Sequence, residues 1–170
     1  MTNQNTLTNY LPSDYQTFIA TSRYARWLDD EGRRETWGET VGRFIDNIVR
    51  PSDIDGKTIN QLEDAILNLE VMPSMRALMT AGPAAERDNT CVYNCSYLPV
   101  DHPRAFDEAM FILLCGTGVG FSVERQAISK LPVVPEDIRD SEDLIVVQDS
   151  KEGWAKALRK VVSGLYTGDV

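Results

Sequence analysis

The sequence predicts an α/β chain in two parts: a helical amino-terminal region over residues 1–70, then a region with strands from 71 to 170. Three observations carry this. Apolar residues recur at helical spacing behind two capping boxes before residue 70. Val92 to Val100 is rich in strand formers around Cys95. A third stretch, with Phe106, Met110, Leu113 and Leu114 at helical spacing, runs into Gly116-Thr117-Gly118-Val119-Gly120 and straight on into Phe121-Ser122-Val123. A cysteine strand and a glycine-opened strand can then lie side by side, with the helix as the crossover between them.

In order, the first dozen residues carry no periodicity and are expected to form an arm or a frayed terminus. From Tyr15, the residues Phe18, Ile19, Tyr24, Trp27 and Leu28 predict a helix and turn whose aromatics anchor a small helical layer. Thr36 and Glu39 form a capping box ahead of Val41, Phe44, Ile45 and Ile48, a helix ended by Pro51. Asp55-Gly56 reads as a turn, and Thr58 with Gln61 as a second capping box ahead of Leu62, Ile66 and Leu69. At Val71 the composition changes. MPSMRALMTAG has no polar face and suits a short buried strand or an irregular loop, with 83–89 as a surface loop after it. This change is the candidate domain boundary. In the central stretch Pro103 is expected at the first helical position. Residues 125–143, interrupted by Pro132 and Pro135, read as a long acidic exposed loop. Leu144 to Val147 reads as a buried strand, and residues 149–152 cap a last helix with Trp154, Leu158, Val161, Val162 and Leu165 inward. A sheet with strands near Cys95, Phe121 and Leu144 has too few members to cover the apolar faces offered, so it is expected to be incomplete in this chain.

Composition narrows the function. A net charge of −9 at pH 7 argues against a surface that grips nucleic acid through phosphates, so a nucleotide is expected to bind singly, in a pocket. No apolar run approaches a membrane span, and the polar start MTNQNTLTNY is no signal peptide, which places the chain in the cytoplasm. Three cysteines and one histidine are neither a disulfide framework nor a good zinc ligand set, so no metal is expected.

The chemistry-bearing candidates are few. Cys95 can be a buried strand hydrophobe. Flanked by Asn94 and Ser96 and followed one crossover later by the glycine loop, it can equally be a reductant or a proton donor. Cys91 would share its strand face at about 13 Å, too far for a disulfide without a bend, and reads as structural. Cys115, ending an apolar helix, reads as packing. The GTGVG run lacks the lysine of a P-loop and the third glycine of a dinucleotide fingerprint. It suits close approach of backbone to a ligand or a tight helix-to-strand turn.

Five blocks, RYARWLDDEGRRETWGETV, MPSMRALMTAG, the YNCSY strand, ILLCGTGVGFSVERQAISKLP and VVQDSKEGWAKAL, resemble in that order the amino-terminal part of the adenosylcobalamin-dependent (class II) ribonucleotide reductases. The resemblance covers about residues 20–170. It implies a helical region followed by the first part of a ten-stranded α/β barrel, in an enzyme that reduces the 2′-hydroxyl of a ribonucleotide by thiyl-radical chemistry. By the same resemblance Cys95 is one half of the substrate-reducing cysteine pair and Asn94 lines the ribose pocket. Ser74 supplies a hydroxyl to substrate, and Thr117 and Gly118 lie against the nucleotide. Adenosylcobalamin, a deoxynucleotide effector, a thioredoxin-type reductant and the remainder of the reductase are the implied cofactor and partners. The radical cysteine, the second redox cysteine and the shuttle cysteines of the family have no counterpart here, so the chain alone is expected to be inactive. The alternatives are a non-catalytic nucleotide-binding or assembly module, or the same segment of a metal-centre (class I) reductase.

Overall fold

The structure is a computed structural model, and it describes residues 11–169. The described residues divide into two compact units, one ending at Val92 and one beginning at Tyr93. The units part after Val92, whereas the composition changes at Val71. The expected arm lies almost wholly outside the described residues, and Leu11 is buried in the first unit's core.

In the first unit α1 (Asp14–Arg23) is capped by Ser13, whose hydroxyl accepts from the Gln16 amide. A small antiparallel pair, β1 (Trp27–Leu28) and β2 (Arg33–Arg34), follows. The Thr36–Glu39 capping box starts α2 (Trp37–Phe44), which continues as a π-helical turn over Ile45–Val49 ahead of Pro51. Next come α3 (Gly56–Leu67), α4 (Met75–Thr80), α5 (Pro83–Arg87) and a 3-10 turn at Asn89–Val92. Val41, Ile45, Ile66 and Leu78 are fully buried at the centre, and the Trp37 indole donates to the Leu67 carbonyl at 3.2 Å.

Four local expectations change here. The cap of α3 is Asp55, not Thr58, because the Asp55 carboxylate accepts from the amides of Lys57 and Thr58. A carboxylate at a helix start also meets the positive end of the backbone dipole. The stretch after Met72 is helix rather than strand or loop, since Ala77, Leu78 and Ala81 recur at helical spacing and are buried in the core. Within 83–89, Pro83 opens a short helix. Of the aromatics around α1, Tyr24 packs against Trp37 with ring centroids 6.5 Å apart, while Phe18 and Trp27 are exposed.

In the second unit β3 (Cys95–Pro99) and β4 (Gly118–Ser122) form a parallel pair, in register Cys95 with Gly118 through Pro99 with Ser122. The crossover is α6 (Ala105–Leu114), as its periodicity predicts, though it begins two residues after Pro103. A short α7 (Arg125–Ile128) precedes a long stretch without regular structure, and α8 (Lys151–Thr167), capped by Ser150, packs on α6. Leu144 to Val147 is not a strand. Leu144 and Val146 are 84% and 78% exposed, and no described strand lies alongside to satisfy the backbone groups. The inward faces also differ from expectation. Gly153, Ala155 and Val162 are the buried residues of α8, whereas Trp154, Val161 and Leu165 are exposed, as are Phe106, Leu113 and Leu114 on α6.

Candidate functional site

The parallel pair places Cys95 and the glycine loop side by side. Successive side chains on a strand alternate between the two faces, and residues paired in register share a face. Cys95 and Tyr97 therefore stand on one face opposite Gly118 and Gly120, which have no side chains to stand beside them. Cys95 is exposed, and so are its neighbours Tyr93, Asn94 and Tyr97. A Cβ built at Gly118 would lie 4.0 Å from the Cys95 sulfur and 3.6 Å from the Asn94 carbonyl oxygen. That is ordinary contact, so a side chain would fit the backbone while covering the thiol. The alternate glycines of GTGVG leave this face open.

The turn that delivers β4 is closed by backbone hydrogen bonds. Gly116, at φ +82°, takes the left-handed conformation that suits glycine. Its amide donates to the Leu113 carbonyl, and the Thr117 amide donates to Ile112, which together close α6 as a Schellman motif. The Thr117 side chain is buried, and its hydroxyl donates to the Tyr93 carbonyl at 2.8 Å. The Gly118 amide donates to the Asn94 carbonyl at 2.9 Å, and the Ser96 hydroxyl to the Gly118 carbonyl at 3.2 Å. Cys95 is thus held between two tied residues, and the Thr117 hydroxyl is spent on the chain itself. Ser74 belongs to the first unit. It is exposed at the start of α4, and its hydroxyl makes no capping hydrogen bond. Asn94, Cys95, Thr117 and Gly118 are brought together in the second unit.

Two features escaped the sequence. Glu35, almost wholly buried, accepts from Arg43 Nε and Nη2, the Arg26 amide and the Thr40 hydroxyl. Burial pushes its carboxyl up, but the Arg43 hydrogen bonds and those from Arg26 and Thr40 outweigh that and hold it below the usual carboxylate range. Arg43 also donates to the carbonyls of Tyr24, Leu78 and Ala81. The second is Asp107 on α6, buried and bonded through Oδ2 to Arg159 Nε and Nη2 of α8. Hydrogen bonding to Asp107 raises the Arg159 pKa. No local pattern announces partners that are 8 and 52 residues apart in the chain.

One pocket of about 490 Å³ lies between residues 141–145 and α8, and another of about 360 Å³ between α6 and α8. Both are of the size that suits a small organic ligand. Neither is lined by Asn94, Cys95, Thr117 or Gly118. Among the described residues, no helix is long and apolar enough to cross a membrane.

No protein-family model matches the chain. It is similar in sequence to the adenosylcobalamin-dependent ribonucleoside-triphosphate reductase of Lactobacillus helveticus, 29% identical over 172 residues, covering 81% of this chain and 22% of that protein. The enzyme of the same name from Lactobacillus leichmannii is 28% identical over 171 residues, covering 80% of this chain and 22% of that protein. The chain therefore spans about a fifth of the length of the curated relatives it matches. In fold it is similar to a crystal structure of a B-12 dependent (class II) ribonucleotide reductase, with a TM-score of 0.69 at 22% identity over 89% of this chain and 31% of that one. The resemblance carried by the five sequence blocks is borne out by these relatives. The mixed helix and strand architecture agrees with the solved fold.

Proposed function

We propose that this chain is the amino-terminal segment of an adenosylcobalamin-dependent (class II) ribonucleotide reductase, and that Cys95 is one of the two thiols that reduce the substrate. On this reading residues 1–70 are its helical region and residues 71–170 open a ten-stranded α/β barrel that other parts of the enzyme complete. The observation that carries the reading is the exposed Cys95 on a strand face where its register partner Gly118 has no side chain to cover it. A nucleotide laid on that face meets the thiol across Gly118, with the exposed Tyr97 ring beside it.

In the reaction the 2′ C–O bond of a ribonucleotide breaks, its oxygen leaves as water and a hydrogen takes its place. Cys95 and a second thiol, supplied from outside this chain, give up two electrons and two protons and become a disulfide. A thioredoxin-type dithiol then returns the pair to the reduced form. Asn94 borders the ribose, and Gly118 lets the nucleotide approach the backbone. Thr117 acts as a positioning residue, since its hydroxyl ties the glycine turn to the Tyr93 carbonyl. Ser74, with a hydroxyl not used in capping, offers a hydrogen bond to substrate. Adenosylcobalamin supplies the radical that starts the chemistry when it is bound. On this reading the cofactor and the deoxynucleotide effector are held with residues of the rest of the enzyme. The reaction belongs to the cytoplasm, where thiols are kept reduced.

The test mixes the chain with a polypeptide supplying the rest of a class II reductase and measures cobalamin-dependent deoxyribonucleotide formation. Restored activity with the native chain, and loss of multiple turnover with Cys95→Ser under a thioredoxin-type reductant, is the expected result. Full turnover by Cys95→Ser refutes the assignment. Nucleotide binding and assembly that survive alkylation of Cys95, without any reduction, favour a non-catalytic module instead.

A further inference from the structure

A second cysteine of the same unit sits in a different chemical setting. Cys115 closes α6 and is buried, and Lys151, the first residue of α8, points its ammonium at the sulfur at 3.2 Å. The same ammonium lies 5.4 Å from the centroid of the Phe111 ring, one helical turn before Cys115. Helix starts favour acidic residues and disfavour cations, so local electrostatics do not call for a lysine at this position. The place of Lys151 is nonetheless fixed. The Ser150 hydroxyl accepts from the Gly153 amide at 3.0 Å, and a Cβ at Gly153 would collide with the Gln148 carbonyl. These contacts define the first turn of α8, the turn whose lysine meets the cysteine.

We propose that Cys115 and Lys151 form a peroxide-driven covalent bridge in which one oxygen atom joins Sγ to Nζ. First the Cys115 thiol attacks hydrogen peroxide. An S–O bond forms, the O–O bond breaks, water leaves, and the sulfur becomes a sulfenic acid. The Lys151 amine, having lost its extra proton, is then joined to that oxygen while a second peroxide accepts two electrons and two protons to give two waters. One thiol, one amine and two peroxides thus yield the S–O–N link and three waters, with sulfur and nitrogen each oxidised by two electrons. Two dithiols reverse it, giving back the thiol, the amine and one water. The bridge staples the end of the crossover helix to the start of α8, two residues before Thr117. It does not depend on the reductase reading.

The 170-residue chain, and a Cys91→Ser/Cys95→Ser variant in which Cys115 is the remaining thiol, are treated with hydrogen peroxide and followed by intact mass and peptide mapping. The expected product gains one oxygen and loses two hydrogens, joins the Cys115 and Lys151 peptides, and disappears on addition of dithiothreitol. Lys151→Arg, with its fold checked by circular dichroism, should lose that product. An unlinked sulfinic acid at Cys115, the same mass gain in Lys151→Arg, or no change at Cys115 while Cys91 and Cys95 of the native chain oxidise would each overturn the proposal. Mapping of the native chain decides the matter if the double variant does not fold.

Discussion

Replacing Arg43 by methionine removes the cation that is hydrogen-bonded to Glu35 inside the first unit. Its side chain is 12% exposed and that of Glu35 is 6% exposed, so the pair lies largely out of reach of water. Without Arg43 the carboxylate keeps the Arg26 amide and the Thr40 hydroxyl, but the carbonyls of Tyr24, Leu78 and Ala81 lose a donor. Removing one partner of a buried pair costs about 3–5 kcal/mol, because the other charge stays buried and uncompensated. Arg43→Met should therefore lower the unfolding free energy of the first unit by about that amount, read from urea unfolding followed by the fluorescence of the buried Trp37. With the Arg43 hydrogen bonds gone, burial dominates at Glu35 and its pKa rises, so the variant should be relatively less disadvantaged at acid pH. Adding Glu35→Leu removes the stranded charge and should recover most of the loss, since apolar replacement of both partners is often close to neutral. The cycle isolates the pair from its surroundings. A loss below about 1 kcal/mol in the single variant, or a double variant no more stable than the single, would refute a charge-dependent hub.

The remaining expectations concern the open face and acid pH. Gly118→Ala should leave the fold intact, because the new methyl meets only ordinary contacts, but it should cover Cys95. Alkylation of Cys95 by a maleimide should slow several-fold while the unfolding free energy stays within about 1 kcal/mol of the native chain, and an unchanged alkylation rate would contradict the open-face geometry. Glu39 is held down to about 2, chiefly by its hydrogen bonds with Arg33 and, against burial, by those with Thr36. A carboxyl whose folded pKa lies below its unfolded value stabilises the fold fully above the unfolded value, and that contribution is lost as protons bind on the way down. Stability should therefore fall between about pH 4.5 and pH 2, with a smaller fall in Glu39→Gln; the exposed position of the pair keeps the effect modest. Identical acid profiles for the two proteins would exclude Glu39 as a contributor.

Much of the chain is written in local order. The Thr36–Glu39 box, the stripe of Val41, Phe44 and Ile45, and the strand-helix-strand order from Cys95 to Ser122 each follow from neighbours a few residues apart, although the strand starts at Cys95 rather than Val92, leaving Cys91 in a 3-10 turn, and the helix starts at Ala105 rather than Pro103. So does the pairing of the cysteine strand with the glycine strand, because a helical crossover between two strands favours a parallel neighbour. What tertiary structure alone decided is which atoms face which. Short-range pattern gave MPSMRALMTAG no polar face, yet burial of Ala77, Leu78 and Ala81 in the first core makes it helical. The same run of apolar letters in Leu144 to Val147 stays exposed, since a strand forms only where another backbone can take its hydrogen bonds. The Glu35 hub, the Asp107–Arg159 pair and the meeting of Lys151 with Cys115 join residues 8, 52 and 36 positions apart. Periodicity reports on one turn of helix or one pleat of strand. Charge partners across a fold are chosen by where whole elements come to rest.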